Sequence, residues 1–265
     1  MDEAAEIVLF ERGPHVSFAN CGLPYYVGGV IETSGSLLLH TPESLKARFN
    51  IIVKTHHEVL AIDRKQKTVR VGNLSDGTTF DQPYDKLVLA VGAKPIMPPL
   101  PGIALPGIFE LRTVPDADRI KSWIRELGVR RAVVVGAGFI GLETVENLLH
   151  LGIEVTLVEK ANQVLPPFDQ EMTALIRRQL DALEVQTILG DGIVSFQGQT
   201  RARDVRLESG RTVPGDVFLL GIGVRPDFHL AKEAGLRWVW RVPFMSTSIC
   251  KRVIPIFMQR VTWRK

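Results

Sequence analysis

The apolar positions of this chain follow two spacings, and the switching between them predicts its elements. Short apolar runs bounded by Gly, Pro or polar residues read as strands, whereas apolar residues recurring every three or four positions read as helices. Glu6–Glu11 (EIVLFE) predicts a short buried strand ending in an acid. Thr41–Phe49 predicts a helix, with Thr41 as its cap and Pro42 at the first helical position. Val59–Ile62 and Thr68–Val71 predict strands beside polar turns, and Lys86–Val91 (KLVLAV) another buried strand. Pro95–Pro106 reads as an extended connector and Asp116–Leu127 as an amphipathic helix. Strand Ala132–Val135, helix Gly138–His150, strand Glu154–Val158 and helix Asp169–Leu183 follow, then short strands ending in Asp216–Leu220. Strands alternating with helices predict an α/β fold with parallel sheets.

One junction carries more than fold. Val133–Val135 runs into GAGFIG, with Gly136, Gly138 and Gly141 at the glycine positions, and a helix follows. At such a junction the first glycine makes a tight turn, the second lets the backbone approach a pyrophosphate, and the third lets helix and strand pack closely. The pyrophosphate sits at the helix N-terminus, where free N–H groups and the helix dipole favour anions. Glu159 ends the next strand 18 residues beyond Gly141, where an acid accepts the ribose hydroxyls. Strand, glycines, helix, strand and terminal acid in this order predict a site for NADH or NADPH. Glu159 favours NADH, whereas the adjacent Lys160 could serve a 2′-phosphate.

Composition narrows the alternatives. The 265 residues suffice for two domains. No run of about 18 uncharged apolar residues predicts a membrane helix. The acidic start, MDEAAE, is unlike a secretory signal. Two distant cysteines, Cys21 and Cys250, do not form a disulfide framework and fit a reducing cytoplasm. The net charge of +3 is local: Arg237–Lys265 holds seven Lys or Arg and no acid, leaving 25 basic against 29 acidic residues elsewhere. Trp238, Trp240 and Trp263 lie in the same stretch, which alone would suggest a nucleic-acid or membrane patch. The six histidines, His56 and His57 included, show no metal-ligand spacing, so no metal is expected.

Cys21 lies in SFANCGLPYY, just before a helix start at Pro24. A thiol at a helix N-terminus is favoured as a nucleophile. A buried, inert cysteine is the other reading, since free cysteines pack as small apolar residues.

This segment resembles the active-site motif of the single-cysteine, FAD-dependent pyridine nucleotide-disulfide oxidoreductases, and is most similar to coenzyme A-disulfide reductases, then to NADH oxidases and peroxidases. The resemblance runs from about residue 2 to 236. It includes Glu11, matching the acid that holds the FAD ribose, and Ala90 and Gly92 of the A-x-G-x-x-P segment ending at Pro95. It also includes GLETVENL, VLPPFDQEM and a glycine-rich turn with Gly223. It implies two Rossmann-like domains: an incomplete FAD domain over 1–110 and an NAD(P) domain over 111–236, with Phe139 and Ile140 joining the glycines at the cofactor. Electrons would pass from NAD(P)H through FAD to Cys21, whose thiolate attacks a CoA disulfide or persulfide; in the oxidase branch the sulfur cycles through a sulfenic acid. Ser17 and Asn20 either contact the substrate or merely hydrogen-bond the loop, and Tyr25 and Tyr26 are expected to pack.

The resemblance also implies segments that differ here. A glycine-rich unit for the flavin pyrophosphate is expected ahead of EIVLFE, and a T-x-x-P-x-I-x-A-x-G-D segment, contacting the flavin, after Leu236. One coding of Ser246–Lys265, read from the third base of its first codon, gives NEYMQTSNPDIYAAGDVAE, which is that segment. A change of reading frame close to Arg237 is therefore expected, and the tail 237–265 with Cys250 should carry no selected role. The family's homodimerisation domain would then be missing, and weak or no flavin binding is expected. The function expected is NAD(P)H:disulfide oxidoreduction on a small CoA-class substrate, with no nucleic-acid or membrane partner. The alternatives are an NADH oxidase or peroxidase, and a non-catalytic remnant that only binds NAD(H).

Overall fold

The computed structural model describes residues 5–236. The tail from Arg237 on, with Trp238, Trp240, Cys250 and Trp263, lies outside the described residues, as does its expected change of frame. The chain divides into two compact units, one of residues up to Val16, His40–Lys94 and from Pro226, the other of Ser17–Leu39 and Pro95–Arg225.

In the first unit, strand Ile7–Glu11 runs parallel to Ile51–Thr55, with Ile7 opposite Ile51 and Glu11 opposite Thr55. Helix Pro42–Phe49 precedes the second of these strands. Its start follows the sequence expectation: Thr41 Oγ1 accepts from Ser44 N, and Ser44 Oγ accepts from Thr41 N. Asn50 ends it in the left-handed conformation at φ +55°. Strands His57–Asp63, Thr68–Asn73 and Thr79–Pro83 form an antiparallel meander. Two expectations need correction. Ile7–Glu11 is a strand, yet none of its residues is fully buried, and Ile7 is 49% exposed. Lys86–Val91 is no strand; only Leu87 and Leu89 are half-buried and the rest are exposed, and among the described residues no strand pairs with it. An apolar run becomes a strand only where a neighbour takes its N–H and C=O groups.

The second unit is built on a five-stranded sheet, in the order Gln186–Leu189, Glu154–Glu159, Arg131–Val135, Val217–Leu220, Ile108–Glu110, with all neighbouring strands parallel. Both faces are covered, which explains the near-continuous apolar strands. Val134, Val155, Leu157 and Leu219 join a core with Val114, Ala117, Ile120, Val145 and Leu148 of helices Val114–Leu127 and Phe139–His150. Val133, Val135, Val158 and Phe218 pack against Phe196, Val205 and Val213 of the antiparallel strands Ile193–Gln197, Asp204–Leu207 and Thr212–Pro214. The α/β class read from the sequence holds. Ser17–Leu39, which the sequence grouped with the first 110 residues, lies in this unit, because Leu23, Tyr26, Val27 and Leu37 are buried in the helix-side core.

Candidate functional site

The site begins where strand Arg131–Val135 gives way to helix Phe139–His150. Gly136 N donates to the Val158 carbonyl at 2.8 Å and Gly221 N to the Val135 carbonyl at 2.7 Å, fixing the turn between neighbouring strands. Gly136 has φ +103°, and a Cβ there would lie 2.5 Å from Gly221 O. A Cβ on Gly141 would lie 1.8 Å from Gly136 O, so helix and strand meet backbone to backbone. Gly138 differs: its φ of −78° and ψ of −173° suit any residue, and a Cβ on it would meet nothing within 4 Å. The first and third glycines are demanded by the chain's own packing; the second opens onto space before the helix N-terminus. That cradle fits the pyrophosphate of a dinucleotide.

Glu159 closes the adjacent strand with both oxygens anchored. Oε2 accepts from Ala137 N at 2.7 Å and Oε1 from Ala161 N at 2.8 Å. Each oxygen keeps a further lone pair for a ribose hydroxyl. Lys160 Nζ donates to Glu208 Oε1 at 2.8 Å. Phe139 and Ile140 begin the helix with partly exposed side chains, Phe139 edge-on to Phe168. Gly223, at φ +110°, accepts from Ile96 N at 2.9 Å. Two carboxyls of this unit stand above the ordinary range. Burial and then the charge of Asp116 raise Glu110, at the carboxyl end of its strand; burial and then Glu146 raise Glu143, on the helix after the glycine turn.

Cys21 lies in the 3-10 turn Asn20–Gly22, which leads into helix Leu23–Val27, and it is an exposed, free thiol. The expectation of a buried cysteine is therefore corrected, because Leu23, Tyr26 and Val27, not Cys21, supply the segment's buried face. Ala19 N donates to the Leu37 carbonyl at 2.8 Å, closing the loop. Tyr26 packs as expected and donates its hydroxyl to Asp118 Oδ1 at 2.6 Å, while Lys121 Nζ sits 4.1 Å above its ring. Asn20 Oδ1 accepts from Arg112 Nη1 at 3.2 Å. Ser17 belongs to the short strand Ser17–Phe18, paired with Leu38–His40. Arg112, Asp118 and Glu208 were not singled out in the sequence; they lie 92, 92 and 48 residues from Asn20, Tyr26 and Lys160, and no local spacing announces such pairs.

The remaining candidates lie in the first unit. Glu11 Oε1 accepts from Gly13 N at 2.7 Å, which fixes the carboxylate at the strand end. Gly92, at φ +68°, accepts from Asp227 N at 2.9 Å, and Asp227 pairs with Lys94 at 2.7 Å. Ala90, two residues before Gly92, is exposed. A carboxylate thus stands fixed at the strand end, but the described residues of this unit include no strand–glycine–helix turn to cradle a flavin pyrophosphate. Among the described residues there is no cluster of three or more His, Cys, Asp or Glu placed to hold a metal, and no helix is long and apolar enough to cross a membrane.

Comparison with known proteins agrees with this geometry. The chain is 37% identical over 236 residues to a coenzyme A disulfide reductase of Staphylococcus haemolyticus, covering 89% of this chain and 52% of the relative. It is 35% identical over 233 residues to an NADH oxidase of Methanocaldococcus jannaschii, covering 88% and 52%. The crystal structure of reduced CoADR-RHD from Bacillus anthracis superposes with a TM-score of 0.87 at 46% identity, over 91% of this chain and 43% of that one. The chain thus spans about half the length of the curated relatives it matches. The family model for pyridine nucleotide-disulphide oxidoreductases matches residues 2–245, and with the glycine cradle and the exposed thiol in place, the chain belongs to that family of oxidoreductases.

Proposed function

We propose that this chain carries the nucleotide and thiol sites of an FAD-dependent NAD(P)H:disulfide oxidoreductase that acts on a CoA-class disulfide or persulfide through Cys21. The observation that carries the reading is the presence, in one compact unit, of the open glycine cradle at Gly138 and an exposed free thiol at Cys21. Relatives named for coenzyme A disulfide reduction support the substrate class. Residues 111–236 then serve as the dinucleotide domain, with Gly136, Gly138, Phe139, Ile140, Gly141 and Gly223 around the dinucleotide and Glu159 at its ribose. Glu11, Ala90 and Gly92 face the flavin within 1–110.

In this reading the Cys21 thiolate attacks one sulfur of the substrate disulfide, forming a Cys21–S–S–CoA bond as the original S–S bond breaks and one CoA thiolate leaves. Arg112 holds Asn20 beside the thiol, and Ser17 and Asn20 orient the substrate. Splitting the mixed disulfide into the Cys21 thiolate and a second CoA thiol would take two electrons and one proton; the reduced dinucleotide would supply the electrons, and a flavin, where bound, would relay them. A free thiol suits a reducing compartment such as the cytoplasm.

The name of the M. jannaschii relative supports a second reading, an NADH oxidase or peroxidase in which oxygen or peroxide replaces the disulfide. The test is NADH consumption by the FAD-supplemented protein with CoA disulfide, oxygen or peroxide offered separately. Disulfide-dependent turnover that vanishes in Cys21→Ser is expected. Turnover with oxygen alone would replace the disulfide reading by the oxidase one. NADH binding without turnover on any acceptor would leave this chain a nucleotide-binding module.

A further inference from the structure

The carboxyl end of strand Glu154–Glu159 carries an acid and a cation in succession, and the cation is already engaged. Glu159 is fixed by Ala137 N and Ala161 N, so its carboxylate stays where a ribose is expected. Lys160 is the adjacent ammonium, and its partner Glu208 comes from the turn after strand Asp204–Leu207. Glu208 is placed by three features. Its N–H donates to the Gly192 carbonyl at 2.8 Å. Its carboxylate lies against Gly192, where a Cβ would fall 2.8 Å from Oε1, so a glycine makes room for it. The following residue is pinned by Asp191, whose Oδ1 accepts from Ser209 N at 3.0 Å and Oδ2 from Ser209 Oγ at 2.6 Å.

From this geometry we infer that Glu208 is a specificity-determining residue of the dinucleotide site: by neutralising Lys160 beside the ribose acid, it makes the chain select NADH over its 2′-phosphorylated counterpart. The inference rests on the dinucleotide reading above and adds the cofactor preference to it. A 2′-phosphate would bring nearly two negative charges. It would meet two carboxylates and one ammonium, a local balance of −1, with the ammonium hydrogen-bonded to Glu208. Removing the Glu208 charge brings that balance to zero and releases the Lys160 donors. The pair is solvent-accessible, with side chains 75% and 48% exposed, so water screens it and the preference it sets is moderate.

The experiment is equilibrium binding of NADH and NADPH to the full chain, its Glu208→Gln and Lys160→Met variants and the double variant, at low and high salt. In Glu208→Gln the NADPH Kd should fall about three- to tenfold, with NADH changed less than about twofold and the gain shrinking at high salt. The double variant should lose the gain, because Lys160 delivers it. Lys160→Met alone takes the balance to −2 and should weaken NADPH binding about as much as Glu208→Gln strengthens it, with NADH changed less. An unchanged NADPH Kd in Glu208→Gln with NADH bound normally overturns the inference and leaves the dinucleotide site standing, as does an unchanged NADPH Kd in Lys160→Met. Failure of the unmodified chain to bind NADH overturns both.

Discussion

Gly138→Ala and Gly141→Ala, two substitutions alike in chemistry, should fail in opposite ways. At Gly141 the added Cβ begins 1.8 Å from Gly136 O and must reach at least 3.0 Å, so helix or turn has to move by more than an ångström. The turn resists, because its Gly136 N–H and the neighbouring Gly221 N–H are bonded to strand carbonyls at 2.8 and 2.7 Å. Overpacking of this kind costs about 1–3 kcal/mol and a strained backbone hydrogen bond about 1 more, while replacing a helical glycine returns about 1. The clash wins, with a net loss of about 1–3 kcal/mol, which lowers the urea midpoint by about 1 M for an ordinary urea dependence. At Gly138 the methyl meets nothing, and the backbone already lies in a region open to alanine, so stability should change by less than about 1 kcal/mol. The methyl instead occupies the space through which a pyrophosphate reaches the helix N–H groups, and NADH affinity should fall about tenfold or more. Urea unfolding followed by far-UV circular dichroism and NADH titration of the same preparations separate the two effects. Undiminished NADH binding by Gly138→Ala would refute the cradle, and an unchanged urea midpoint in Gly141→Ala would refute the close approach of helix and strand.

The remaining predictions concern the supports of the site. Tyr26→Phe deletes the 2.6 Å bond to Asp118 and should cost about 1 kcal/mol in urea unfolding. The Asp118 hydrogen bond, with burial second, holds the Tyr26 phenol above its ordinary value of 10.0, so Asp118→Asn should bring its ultraviolet titration to lower pH. Asp216 takes N–H bonds from Arg130 and Arg131 at 3.3 and 3.0 Å. Burial alone would raise its carboxyl, but these bonds and the Arg131 charge outweigh it and hold the group below 3.8. Its contribution is therefore complete above the unfolded value, near neutrality, and fades as pH drops through the lower folded value. Asp216→Asn should lose about 1–2 kcal/mol at neutral pH and show a smaller further loss below about pH 4; equal acid sensitivity in both proteins would contradict this.

The sequence determined those features whose causes lie within a few residues. Thr41 with Pro42 and Ser44 suffices to start a helix, because capping is a three-residue matter. The GAGFIG turn announces itself because its three glycines meet different steric demands in one short loop, and Glu159 falls at the end of the next strand by chain length alone. The exposure of Cys21 was left open, since it depends on which side of the segment is buried, and the positions of Leu23, Tyr26 and Val27 against distant helices decide that. Lys86–Val91 has the composition of a strand, yet strand formation requires a partner, and the described structure provides none. The tertiary structure alone brings Arg112 to Asn20, Asp118 to Tyr26 and Glu208 to Lys160. Such pairs are set by how the sheet, helices and antiparallel strands of one unit stack, because hydrogen bonds act across space at about 3 Å, regardless of how many residues separate the partners.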